Sequence, residues 1–162
     1  MAFNPETSEV CTRAGPGRSP LARRIARRLS RPVRLVVADD EPEVRSGIAL
    51  FLRRAGCEVI EAADGAELIK RVAAEIVDPE SNPRVDVAVI DVYMPHAGAL
   101  IALSALHDID AELPCIVISG LADPAVLDEA RRLGAAACLK KPVDLEELMA
   151  LVARLVPTVE AE

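Results

Sequence analysis

The chain has 162 residues, 51% of them hydrophobic, 2% aromatic, and a net charge of −7. That length suits one compact domain with a tail rather than two full domains, around a core built from Val, Leu, Ile and Ala. No apolar run approaches the roughly 18 residues of a membrane span, and Arg pairs interrupt any signal-peptide centre. Cys11, Cys57, Cys115 and Cys138 show no CxxC spacing, so a zinc site or disulfide framework is not indicated. Three of the four read as small core residues, and a reducing, cytoplasmic home is the simplest expectation. The charge is divided: +6 before Leu35 and −13 from there on. A basic arm therefore precedes an acidic domain.

Residues 1–20 are rich in Pro, Gly, Ser and Thr without apolar periodicity, and read as disordered. Leu21, Ile25 and Leu29 then recur at a spacing of four, with Arg23, Arg24, Arg27 and Arg28 between them. This is the pattern of a short basic amphipathic helix over 21–30, ended by Pro32. A solvated tail fits this arm (1–32), as does contact with nucleic acid, an anionic membrane or an acidic partner. From Val33 the pattern alternates between short apolar runs and helical periodicity five times. Strands are predicted at 34–38, 58–62, 85–90, 115–118 and 136–139. Helices are predicted at 42–55, 66–76, 99–108, 124–133 and 145–156. Gly56 and Gly134 suit C-terminal caps, and Asp64, Asp123 and Asp144 suit N-caps. Residues 77–84 (VDPESNPR) read as a surface loop. Five alternating pairs predict an α/β doubly wound parallel sheet over 33–156, with a short tail at 157–162.

The chemistry gathers where strands end. LVVADDEP ends a strand in Asp39 and Asp40, and VAVIDVYMP ends another in Asp91. Open α/β sheets build their sites at the carboxyl ends of strands. Three carboxylates meeting there repel one another unless a hard cation sits among them, which points to a Mg²⁺ pocket. The fourth strand ends at Ser119-Gly120 and the fifth at Lys140-Lys141-Pro142, adding a hydroxyl and an ammonium. Each feature alone is weak, since acid pairs cap helices and Lys pairs are commonly solvated. Four at successive functional strand ends make coincidence a poor explanation.

As an ordered set, Asp39-Asp40 after LVVA, Asp91 in DVYMP, Ser119 in CIVISG and Lys141-Pro142 in GAAACLKKP resemble the receiver domain of two-component response regulators. The resemblance covers nearly all of 33–156, and it implies the flavodoxin-like strand order 2-1-3-4-5, for which a chemotaxis receiver is a standard example. It implies Asp91 as phosphoacceptor from a sensor histidine kinase or histidine phosphotransfer protein. It implies Mg²⁺ held by Asp39, Asp40, Asp91 and the Tyr93 backbone carbonyl. Lys141 would pair with the phosphoryl group, Ser119 beside Gly120 would hydrogen-bond to it, and Pro142 is a candidate cis-proline. Tyr93 and Leu121 occupy positions that tune the lifetime of the phosphorylated state, and their bulk implies slow self-dephosphorylation. The expected protein is a self-phosphorylating switch rather than a turnover enzyme.

Three departures qualify the resemblance. Cys138 stands where the family has a switch aromatic, and is too small for that movement. MPHAG is one residue shorter than the family's loop, which would bring His96 near the pocket. The segment 64–91 is longer than typical. The six residues after Val156 are too short for an effector domain. The expectation is therefore a receiver acting alone, through a downstream protein bound at about 124–156, with homodimerisation compatible. The rivals are a phosphorylation-independent binding module and a nucleic-acid-associated regulator working through the Arg-rich arm.

Overall fold

The computed structural model describes residues 31–120 and 124–156. The arm up to Ser30 with the helix expected at 21–30, Leu121, the expected cap Asp123 and the tail 157–162 lie outside the described residues. Five strands form one parallel sheet: β1 (Arg34–Ala38), β2 (Glu58–Ala62), β3 (Val87–Asp91), β4 (Cys115–Ser119) and β5 (Ala137–Lys140). Their order is β2-β1-β3-β4-β5. The helices are α1 (Pro42–Arg54), α2 (Gly65–Val77), α3 (Ala99–Ile109), α4 (Pro124–Arg132) and α5 (Leu145–Leu155). This is the doubly wound sheet that the alternating pattern predicts.

Burial explains the sequence of each strand. Every residue of β3 and β4 is buried, which is why VAVID and CIVIS are almost continuously apolar. Edge strand β2, EVIEA, keeps Glu58 and Glu61 because it is only half covered. Successive side chains alternate between faces. Leu35 and Val37 pack with Leu52 of α1 and Leu148 of α5. Val36 and Ala38 pack with Leu68 of α2, Leu103 of α3 and Ala130 of α4. Helix ends follow local chemistry. Gly56 and Gly134 take φ of 100° and 98°, a left-handed conformation favoured by glycine after a helix. Asp64 accepts from the Glu67 N–H, and Asp144 from those of Glu146 and Glu147.

The main shift from the predicted boundaries is β3, which starts at Val87 rather than residue 85. Val85 and Asp86 look strand-like in sequence, but the Val85 N–H donates to the Glu75 side chain. The Asp86 carboxylate turns instead to Arg31 and to the Arg34 N–H. The polar loop after α2 is an ordered turn. Asp78 accepts from the N–H groups of Ser81 and Asn82, and Arg84 pairs with Asp110.

Candidate functional site

The strand order reverses between β1 and β3, and the crevice above such a switch point is where doubly wound sheets bind ligands. β1 runs directly into Asp39, and β3 ends on Asp91. The pairing of Ala38 with Ile90 places these two carboxylates side by side. Asp39 and Asp91 are 2% and 4% exposed, whereas Asp40 faces solvent. One oxygen from each of Asp39, Asp40 and Asp91 falls within 4.8 Å of the others. The pairing of Ser119 with Lys140 brings the ends of β4 and β5 to the same edge. There the Lys141 N–H donates to the Ser119 carbonyl at 2.9 Å.

Lys141 is the cation of this pocket. Its Nζ lies 3.0 Å from Asp39 Oδ2, 3.4 Å from Asp91 Oδ2 and 3.4 Å from Glu41 Oε1. Its stem lies against Gly120, where a Cβ would meet Lys141 Cδ at 3.6 Å. Burial lowers its pKa, but the surrounding carboxylates, Asp39 first, outweigh burial and raise it. One ammonium among three clustered carboxylates leaves the pocket negative. Asp91 shows the consequence: its pKa is raised to about 6, first by burial and then by the charge of Asp39, against the opposing pull of Lys141. Asp39 Oδ2 is also buried, and the Lys141 ammonium that it meets at 3.0 Å is shared with Asp91 and Glu41. A buried carboxylate oxygen whose ammonium partner is shared with two other carboxylates, in a cluster with excess negative charge, suits a hard cation with oxygen ligands.

Supporting groups fix the acids in place. Asp39 Oδ1 accepts the Glu41 N–H at 2.9 Å, and the Asp39 carbonyl accepts from Arg45 Nη1 at 2.8 Å. Glu41 and Arg45 escaped the sequence reading. Glu41 had a signal, as the third acid of DDE, but Arg45 had none, because its contact exists only once α1 folds back. Ser119 is 3% exposed at the pocket edge, and the Lys141–Pro142 peptide bond is cis. Tyr93 is 47% exposed beside the pocket. His96 is exposed and its carbonyl accepts the Ala66 N–H at the start of α2. His96 and Ala97 take φ of 51° and 74°, so the short loop after β3 closes through two left-handed residues. Cys138 is half-buried on the face toward α2, α3 and α4, opposite Val117. Cys57, Cys115 and Cys138 are free thiols, the first two buried as expected of core residues.

The model of the response regulator receiver domain family matches residues 35–153. The chain belongs to this family. It is 28% identical over 123 residues to the chemotaxis protein CheY of Treponema pallidum, covering 75% of this chain and 81% of that protein. It is 31% identical over 119 residues to the transcriptional regulatory protein PdtaR of Mycobacterium tuberculosis, covering 73% of this chain. The receiver spans only 54% of PdtaR and 17% of another relative, the CAI-1 autoinducer sensor kinase/phosphatase CqsS of Vibrio cholerae. Among solved structures, the Francisella response regulator 1452 receiver domain superposes with a TM-score of 0.65 at 27% identity. That match covers 76% of this chain and 95% of that one. No helix among the described residues is long and apolar enough to cross a membrane.

Proposed function

We propose that this receiver takes a phosphoryl group onto Asp91 from a phosphohistidine on a sensor histidine kinase or phosphotransfer protein. The observation that carries this reading is the Asp91 carboxylate itself, buried, raised in pKa, and 3.4 Å from Lys141 Nζ beside Asp39 and Asp40. An oxygen of Asp91 attacks phosphorus, the new O–P bond forms, and the P–N bond breaks with its electrons returning to the imidazole. Only the ionised carboxylate can attack, so the groups that hold Asp91 ionised govern the reaction. Asp39, Asp40 and Asp91, with the Tyr93 carbonyl, would hold Mg²⁺. When bound, the ion offsets negative charge on the pocket and on the phosphoryl oxygens. Lys141, released from part of its carboxylate pairing, bonds the phosphoryl group by a charge-assisted contact. Ser119 donates its hydroxyl to the same group, drawing the loop after β4 inward.

The phosphorylated form acts by biasing two arrangements of the α4–β5–α5 face, about 124–156, toward one that binds a downstream protein. Cys138 removes the aromatic route to that face, so movement of the Ser119 loop carries the coupling. Tyr93 and Leu121 obstruct approaching water, giving a long-lived phosphoprotein. A phosphoprotein half-life of seconds would overturn this last point.

Intact-mass measurement after incubation with Mg²⁺ and a small acyl phosphate tests the whole reading. One added phosphoryl group is expected, absent in Asp91→Ala and absent when a chelator is added first. Folded protein that stays unmodified with every donor would instead make this a phosphorylation-independent binding module.

A further inference from the structure

The loop after β3 carries Tyr93 and rests on a single glycine. Its base is fixed: the Val92 N–H donates to the Ile118 carbonyl at 2.9 Å, and Val92 and Met94 are buried. The Val92 carbonyl accepts the Ala99 N–H, which closes the loop where α3 begins. At its tip the His96 carbonyl accepts the Ala66 N–H at 2.8 Å, and the backbone of Ala97 lies against Gly65. A Cβ on Gly65 would overlap the Ala97 carbonyl oxygen and stand 2.8 Å from the carbonyl carbon. The obstacle is main chain, so no side chain can turn aside to relieve the clash.

Of the two backbones, the loop's must give way. The start of α2 is held by a reciprocal cap: Asp64 accepts the Glu67 N–H at 2.8 Å, and Glu67 Oε2 accepts the Ala63 N–H at 3.1 Å. Just before it, the Ala62 carbonyl accepts the Asp39 N–H at 3.2 Å. His96 and Ala97, by contrast, hold φ of 51° and 74°, a left-handed conformation that residues with a Cβ disfavour. A push at residue 97 therefore passes down the short loop toward Tyr93 rather than into α2. Residues 62–66 grip both sides of the acidic pocket: the end of β1 through Asp39, and the loop after β3 through His96 and Ala97.

We propose that Gly65 is a positioning residue for the cation site: its bare backbone seats the β3–α3 loop and so sets where the Tyr93 carbonyl stands beside Asp39, Asp40 and Asp91. Gly65 acts only through Ala97 and meets no ligand itself. This role rests on the Mg²⁺ site of the proposed function.

Tyr93 is the chain's one tyrosine and there is no tryptophan, so its emission reports on this loop. Mg²⁺ titration of the full chain, followed by that emission and by calorimetry, gives the affinity without any phosphorylation. Gly65→Ala is expected to raise the Mg²⁺ dissociation constant about tenfold, the low end of what loss of a supporting contact costs a metal site. It should also speed exchange of the Ala66 amide. Gly47→Ala, whose Cβ meets nothing within 4 Å, should leave both unchanged. Ala97→Gly accepts a positive φ freely, and added to Gly65→Ala it should recover part of the affinity. A Gly65→Ala protein that melts lower but binds Mg²⁺ as wild type does would overturn the proposal, leaving Gly65 a packing residue. Should Gly65→Ala fail to fold, wild type decides by reciprocity, because a seat that favours the cation must be tightened by it. Mg²⁺ should then slow Ala66 exchange severalfold and leave the Leu148 amide, bonded to the Asp144 carbonyl in the first turn of α5, unchanged. An Ala66 amide indifferent to bound Mg²⁺ would overturn the proposal. Wild type that binds no Mg²⁺ would overturn it together with the proposed function. Weakened binding in a chain that acyl phosphate never modifies would keep the role of Gly65 and remove the phosphoacceptor reading.

Discussion

The two edges of the sheet use the same residue type in opposite ways. At the edge where the strands begin, Asp86 is 8% exposed and fully answered: Arg31 grips both its oxygens and the Arg34 N–H donates to one. Arg34–Glu58 and Arg84–Asp110 complete a set of one-to-one pairs. At the edge where the strands end, Asp39 and Asp91 are buried more deeply, yet they share one Lys141 with Glu41. Burial alone therefore does not mark a site. What marks it is buried charge that the protein's own groups leave under-compensated, which suits the pocket to a cation.

The largest expected effect breaks the comparison at Asp91. In the folded chain without divalent cation its pKa is about 6, above the ordinary carboxylate value of about 3.8. The folded state thus binds more protons than the unfolded state between these values, and stability must fall as pH rises through them. The favourable contribution of protonated Asp91 is complete below pH 4 and lost above about pH 6. Asp91→Asn removes the ionisation and should stabilise the cation-free protein by about 1–3 kcal/mol at pH 7.5, and by almost nothing at pH 4. Thermal melts across that range provide the measurement. Mg²⁺ should reverse the trend in wild type, its stabilising effect growing with pH as Asp91 ionises. A flat difference between wild type and Asp91→Asn would show that the pocket is not under strain from its own charge.

The opposite edge predicts the opposite sign. Asp86→Ala strands the Arg34 N–H and releases Arg31, which is 44% exposed and so loses less than a buried cation would. A loss of about 1–2 kcal/mol is expected, independent of Mg²⁺, in denaturant titration. Added stability on removing Asp86 would erase the distinction between the edges.

How much of this was legible in the sequence follows from range. Asp39, Asp91, Ser119 and Lys141 stood out because each ends a strand, and strand ends can be read from short apolar runs and the breaks after them. The caps Asp64 and Asp144 and the turn residues Gly56 and Gly134 were legible for the same local reason. The start of β3 was misplaced by two residues because Asp86 takes a partner 55 positions away. The left-handed pair His96-Ala97 was hidden as well, because Ala does not favour a positive φ and His signals one only weakly. There the tightness of the loop and its bond to α2 override local preference. The His107 ring, bonded to the Leu133 carbonyl and packed over Gly134, likewise exists only after α3 and α4 meet.

The smallest effect sharpens the comparison within one edge. Asp144 stands at the pocket end of the sheet, as Asp39 and Asp91 do, but it is exposed and does an ordinary local job. Its Oδ1 accepts the Glu146 and Glu147 N–H groups at 3.0 and 3.1 Å, answering two donors that α5 cannot satisfy internally. Asp144→Ala should therefore cost about 1 kcal/mol, the typical loss of an N-cap. Asp144→Asn should restore most of it, since an amide oxygen can accept the same bonds. Neither change should alter the Mg²⁺-dependent rise in melting temperature. If Asp144→Ala weakened that rise as much as Asp91→Asn does, the carboxylates of this edge would be acting as one diffuse negative field. Burial and a shared ammonium would then no longer distinguish Asp39 and Asp91 from their neighbours.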